Sequence, residues 1–356
     1  MKTKLPDIGD YKIAIYTERL VKAQELAGGL PVKSKNNVVM YVGGFCVVFP
    51  YKTPNKKYAV RCWFTNVTDA KERTRLIAEE LHRIKLPYFV GFKYVENGLA
   101  TNEGVQPIVL MDWVDASPLK EYINKNINNK DKLYRLAEEF KKMTDDLHKH
   151  SISHGDLQHG NILVSDMGEI ILVDYDSMFV PALNGYSDEI KGLKGYQHPS
   201  RWDNDKLSCK ADYFSELIIY TSIIAFAKMP MLWDDLHIID TETMLFSAED
   251  IKSGGASIIF NILSTDNELK KLSTAIKNAL QKKSINELLP LEEAIIPPEE
   301  KISSEHKKKW ANNGYVNPLP KYDVKTDTIK EKWMDNGYHQ FAPTYDSQTD
   351  NIKNKW

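Results

Sequence analysis

The chain predicts an α+β fold, with a smaller β-rich N-terminal part followed by a mainly helical C-terminal part. Runs of β-branched and aromatic residues concentrate early, at 41–49, 58–63 and 107–114. Helical signals dominate later: apolar residues at Leu133, Leu136, Ala137, Phe140, Met143 and Leu147 mark a helix over 131–149, and an apolar run spans 217–231. Between these helices lie two polar clusters, His154-Gly155-Asp156-Leu157-Gln158-His159-Gly160-Asn161 and Asp174-Tyr175-Asp176. The first is followed by Ile162-Leu163-Val164 and the second preceded by Ile170-Ile171-Leu172-Val173, so a hairpin would bring them together.

Each element has its own local reason. Gly43 and Gly44 interrupt the first β-type run and suit either a hairpin turn or a close approach of backbone to phosphate. The second run, Tyr58-Ala59-Val60-Arg61-Cys62-Trp63, carries a cation on a half-buried strand. Asp69-Ala70-Lys71-Glu72 reads as a capping box opening a helix through Leu76, Ile77, Leu81 and Ile84 toward Pro87. On the helical wheel Glu80 falls among those apolar positions, so its carboxylate needs a cation. Arg61 is the first candidate, and Arg73, which also projects inward, is a competitor. The run 217–231 is too short and interrupted to span a membrane and reads as a buried helix.

The acids and the Asn carry the chemistry. One carboxylate can take a hydroxyl proton, while an amide and a second carboxylate can hold magnesium. Asp156, Asn161 five residues on, and Asp174 thirteen further resemble the catalytic and metal loops of the protein-kinase-like superfamily, in a bacterial form with His-Gly-Asp. The resemblance covers about residues 38–290 and implies a bilobal fold, with an N-lobe at 1–112 and a catalytic C-lobe at 113–296. It implies Asp156 as base and Asn161 and Asp174 as magnesium ligands. It also implies ATP bound near Gly43, Gly44, Val48, Ala59, Arg61, Met111 and Gln158, with backbone at Asp112 and Val114 reading the base. Arg61 would grip phosphate and pair with Glu80, and Asp212 would anchor the catalytic loop from below. The implied activity is transfer of the γ-phosphate to a Ser or Thr hydroxyl of a protein.

The departures are specific. Tyr41 and Cys46 stand at two glycine positions of the family's phosphate loop, and Arg61 stands where it has Lys. Gly155 replaces the Arg that pairs with a phosphorylated loop in regulated kinases, so phosphate-switched activation is not expected. Gln158 replaces a phosphate-directed Lys, and Asp176 replaces a Gly, adding either a metal ligand or an inactive backbone. His-Gly-Asp also occurs in aminoglycoside and choline kinases, which keeps a small-molecule kinase open. A pseudokinase scaffold is the third reading.

A formal net charge of −2 gives no case for nucleic acid or an anionic membrane as partner. Three separated cysteines and the lack of a signal-like N-terminus suggest a cytoplasmic setting. After Pro297-Pro298 the composition changes, and Trp310, Trp333 and Trp356 recur with a period of 23, each preceded by Lys. Such sparse apolar anchors cannot build a core, so residues 299–356 read as an arm for a protein partner or as a solvated tail.

Overall fold

The computed structural model describes residues 4–65 and 69–296; the Trp repeats and the compositional change at Pro297 lie outside the described residues. The chain divides into two units, Met1–Ile295 and Ile296–Trp356, and the description concerns the first. It is an α+β structure built on a six-stranded antiparallel sheet and a set of helices.

Helix α1 (Ile8–Tyr16) starts at a capping box between Asp7 and Asp10. It precedes β1 (Leu30–Pro31), the small hairpin β2 (Lys33–Ser34) and β3 (Asn37–Val38), then β4 (Tyr41–Val42), β5 (Cys46–Lys52) and β6 (Lys57–Trp63). Helix α2 (Ala70–Ile84) follows, then β7 (Phe92–Thr101) and β8 (Gly104–Asp112). The sheet order is β1-β5-β6-β8-β7, with β4 also paired to β5.

Strand alternation sorts the sheet residues onto two faces. Val47, Phe49, Val60, Cys62, Ile108 and Leu110 pack with Tyr11, Ala14 and Ile15 of α1 in a smaller apolar cluster. Cys46, Trp63, Val109 and Met111 join the larger cluster on the opposite face, with Val48 and Ala59 packed against it. Arg61 shares that second face by the same parity.

Helix α2 does not begin with the expected capping box. Asp69 is left-handed, at φ 55°, and its side chain makes no cap bond. An N-cap needs extended backbone for its side chain to turn back to the first-turn amides. Glu72 is instead held by Arg75.

The C-terminal part comprises β9 (Ser117–Pro118), α3 (Leu119–Asn126), α4 (Lys130–Lys149), the hairpin β10 (Ile162–Val164) and β11 (Ile170–Leu172), then α5 (Tyr213–Lys228). Five further helices are α6 (Met231–Asp235), α7 (Ala248–Lys252), α8 (Ile258–Leu263), α9 (Asn267–Leu280) and α10 (Leu291–Ala294). The periodic apolar residues of α4 are all buried, and α5 is buried on every side from Phe214 to Ala227. Among the described residues no helix is long and apolar enough to cross a membrane.

Candidate active site

Helix α4 delivers the chain into a loop at 150–161 that is fastened from beneath. The carboxylate of Asp212 accepts from the backbone amides of His154 and Gly155, the latter at 2.9 Å. Asp212 occupies the N-cap position of α5 yet makes no side-chain cap bond there, because its oxygens turn to the loop. Gly155 has φ 79°, and a Cβ on it would lie 2.0 Å from the carbonyl oxygen of Ser177. No Arg, nor any side chain at all, fits there without moving backbone. His154 is buried, with Nε2 2.9 Å from the Val173 carbonyl oxygen.

Asp156 and Asn161 touch. The Asn161 amide nitrogen donates to the Asp156 carbonyl at 2.8 Å and to its carboxylate at 3.1 Å, turning the amide oxygen away from Asp156. The other carboxylate oxygen of Asp156 accepts from the Leu193 amide at 3.2 Å. Gly192 is required beside it, since a Cβ there would come within 2.4 Å of that oxygen. Burial pushes the Asp156 carboxyl above its ordinary value, and the neighbouring Asp174 adds to the rise.

The hairpin joins the two polar clusters. Ile162 pairs with Leu172, and the Val173 amide donates to the Asn161 carbonyl at 3.0 Å. Asp174 follows directly in the left-handed region at φ 67°, a conformation that a short polar side chain tolerates. Its side chain is 49% exposed, whereas that of Asp176 is 16% exposed.

Arg61, 3% exposed, meets both acids through one nitrogen: Nη2 contacts Asp174 Oδ1 at 3.1 Å and Asp176 Oδ2 more closely. Its Nε donates to Cys46 Sγ at 2.9 Å. Burial disfavours the guanidinium charge, but Asp176 and Asp174 outweigh it and raise the Arg61 pKa further. The expected Arg61–Glu80 pair does not form. Glu80 binds Arg83 one helical turn away on α2, with Arg83 Nε donating at 2.9 Å. A local partner on the same helix satisfies Glu80, while the acids after β11 satisfy Arg61. Arg73 does not take Glu80 either; its guanidinium donates to the carbonyls of Asp176 (3.1 Å) and Ser187 (2.9 Å).

The expected nucleotide residues have differing local roles. The Gly43 amide donates to the Cys46 carbonyl at 2.9 Å and so closes the β4–β5 turn. Around Gly44 an added Cβ would meet open space. Val48, Ala59, Arg61 and Met111 lie on one face of the sheet, with Met111 buried. The Asp112 amide donates to Gly91, and the half-buried Val114 follows two residues on. Gln158 folds back so that its Oε1 accepts from the Gly160 amide at 3.0 Å.

Asn161 and Asp174 offer hard oxygen donors on adjoining backbone, a set that suits magnesium. Among the described residues no group of three or more His, Cys, Asp or Glu could hold a metal. Magnesium habitually takes only one or two protein ligands and completes its shell with phosphates and water, so the donor set fits that ion.

Sequence reasoning missed the cover over Asp156 and the partner of Arg61. The cover includes Gly192, Leu193 and Tyr196, whose hydroxyl lies 2.6 Å from His159 Nδ1. Burial lowers the His159 pKa to about 4. The signal for the partner was Asp176 itself, a second acid two residues after Asp174.

No family model matches the chain. A stretch of 71 residues, 20% of the chain, is 35% identical to the "Probable serine/threonine-protein kinase PknB" of Lactococcus lactis subsp. lactis (strain IL1403). The match covers 11% of that relative's own length. The similarity to a protein kinase is therefore local.

Proposed function

We propose that the chain is an ATP- and magnesium-dependent phosphotransferase of bilobal kinase-like fold, with lobes at 1–112 and 113–296 and a tail at 297–356, acting on Ser or Thr hydroxyls of proteins. The observation that carries this reading is the convergence of Asp156, Asn161, Asp174 and Arg61 through the 162–172 hairpin and the second sheet face. The local similarity to a serine/threonine kinase supports it. Asp156, held by Asn161, would accept the hydroxyl proton. Arg61 would contribute positive charge toward the phosphate oxygens, and Asn161 with Asp174 would hold the metal. Bound magnesium would supply charge neutralisation at the phosphates.

The test is incubation with labelled ATP, against a protein mixture and separately a metabolite mixture, with mass spectrometry of the chain itself. Label in protein that disappears in Asp156→Ala supports the reading. Label only in metabolites would transfer the assignment to a small-molecule kinase.

A second reading is favoured by one contact, the Leu193 amide on the Asp156 carboxylate. That amide occupies an oxygen that a hydroxyl donor would use, as expected of an inert or nucleotide-gated scaffold. ATP-induced thermal stabilisation without turnover would favour it.

A further inference from the structure

Arg61 carries a charge at 3% exposure, and such a charge is tolerated only with a fixed counter-ion. Two carboxylates reach it from the same short turn, and they differ in burial. Asp176 is mostly buried and itself needs a cation, whereas Asp174 is half exposed. Attraction between the two buried charges is strong, while the exposed one is screened by solvent. Arg61 and Asp176 are therefore the committed pair. Asp174 is the acid that can exchange partners.

Asp176 is also held at its other end. Its carbonyl accepts from Arg73 of α2, a side chain itself 4% exposed, whose second donor goes to Ser187. One residue thus joins β6 through its carboxylate to α2 through its backbone. Glu80, the acid that α2 presents toward the apolar side, is engaged by Arg83.

We propose that Asp176 is the positioning residue of this site: it is the fixed counter-ion of Arg61, in place of an acid on α2, and it leaves Asp174 available to a ligand. This rests on the phosphotransferase reading for its second clause only. Without Asp176, the nearest acid to the buried guanidinium is Asp174, which would be drawn into a permanent pair and lost to a metal. The link to α2 then runs through neutral carbonyls. Moving α2 would break hydrogen bonds from Arg73 and leave the Arg61 pair intact.

Two measurements test it. Urea unfolding of the ligand-free full chain, in a cycle of R61Q, D176N and the double variant, should show strong coupling: R61Q leaves Asp176 buried without its cation, D176N leaves the buried Arg61 only the solvent-screened Asp174, and the double removes both charges. A double variant more stable than either single variant is expected; one as unstable as the sum of the two would overturn the pairing. The same comparison decides the matter if D176N alone fails to fold, because the matched neutral pair should restore folding. Fluorescent-nucleotide titration with and without Mg2+ tests the second clause. D176N should weaken the Mg2+-dependent component of affinity about tenfold, and E80Q should change it less than about twofold. The opposite ranking would overturn it. If the wild type binds no nucleotide with or without Mg2+, the phosphotransferase reading fails and the second clause falls with it, while the unfolding cycle still judges the pairing.

Discussion

Gly155 accounts for a departure that the motif alone left unexplained. An Arg there would have to adopt φ 79° and overlap the Ser177 carbonyl, so the loop excludes the side chain that phosphate-regulated kinases use. Gly155→Ala should destabilise the protein by about 3 kcal/mol or more, since backbone rather than a flexible side chain must yield. Urea midpoints with an unchanged m-value would check this. Asp174 makes a different demand. Half exposed and linked at 3.1 Å to Arg61, it contributes little to stability, so Asp174→Ala should change the unfolding free energy by about 1 kcal/mol or less, and on the proposed phosphotransferase reading it should abolish phosphate transfer. A radiolabel assay beside a thermal melt separates these two effects.

Helices α4, α5 and α10 meet at His148, which lies 2.9 Å from Glu216 and 3.0 Å from Glu292. Burial pulls the His148 pKa down, but the hydrogen bond and charge of Glu216, joined by Glu292, overcome it and raise the value to about 9 from 6.5. A folded-state pKa above the unfolded one stabilises most at pH below 6.5 and loses that stabilisation as pH rises through 9. The effect is at most about 3 kcal/mol. Unfolding free energy should therefore fall between pH 6.5 and 9 in the wild type, and His148→Gln should flatten that slope. The pair of helices was readable beforehand from the apolar period of α4 and the unbroken run of α5. Their polar fastening was not, because Glu216 lies 68 residues from His148 in sequence.

Across the unit Met1–Ile295, one buried ion pair closes the long segment that covers Asp156. Arg201 and Asp188, 0% and 1% exposed, join the two ends of the stretch that contains Gly192 and Leu193. Arg201→Met should cost about 3–5 kcal/mol, because Asp188 would be left buried without its cation. Hydrogen exchange should then rise at Leu193, whose amide donates to Asp156. Among the described residues, both apolar clusters are built from this unit. Removing residues 299–356 should weaken a protein partner's binding or change activity if the Trp repeats form an arm; no change in either would end that reading.

Periodic and short-range information was enough for much of this protein. The runs 162–164 and 170–173 implied the hairpin that joins Asn161 to Asp174, while Val48, Ala59, Arg61 and Met111, named from the resemblance alone, share one sheet face through the strand register. These follow from the two-residue period of a strand, which neighbours in sequence express. The wheel was also right that Glu80 turns inward, at 14% exposure, yet it could not name the cation. Arg61 meets Asp174 and Asp176 across 113 and 115 residues. Which acid holds a buried cation depends on relative burial and distance once strands and loops have packed, and no local pattern encodes that.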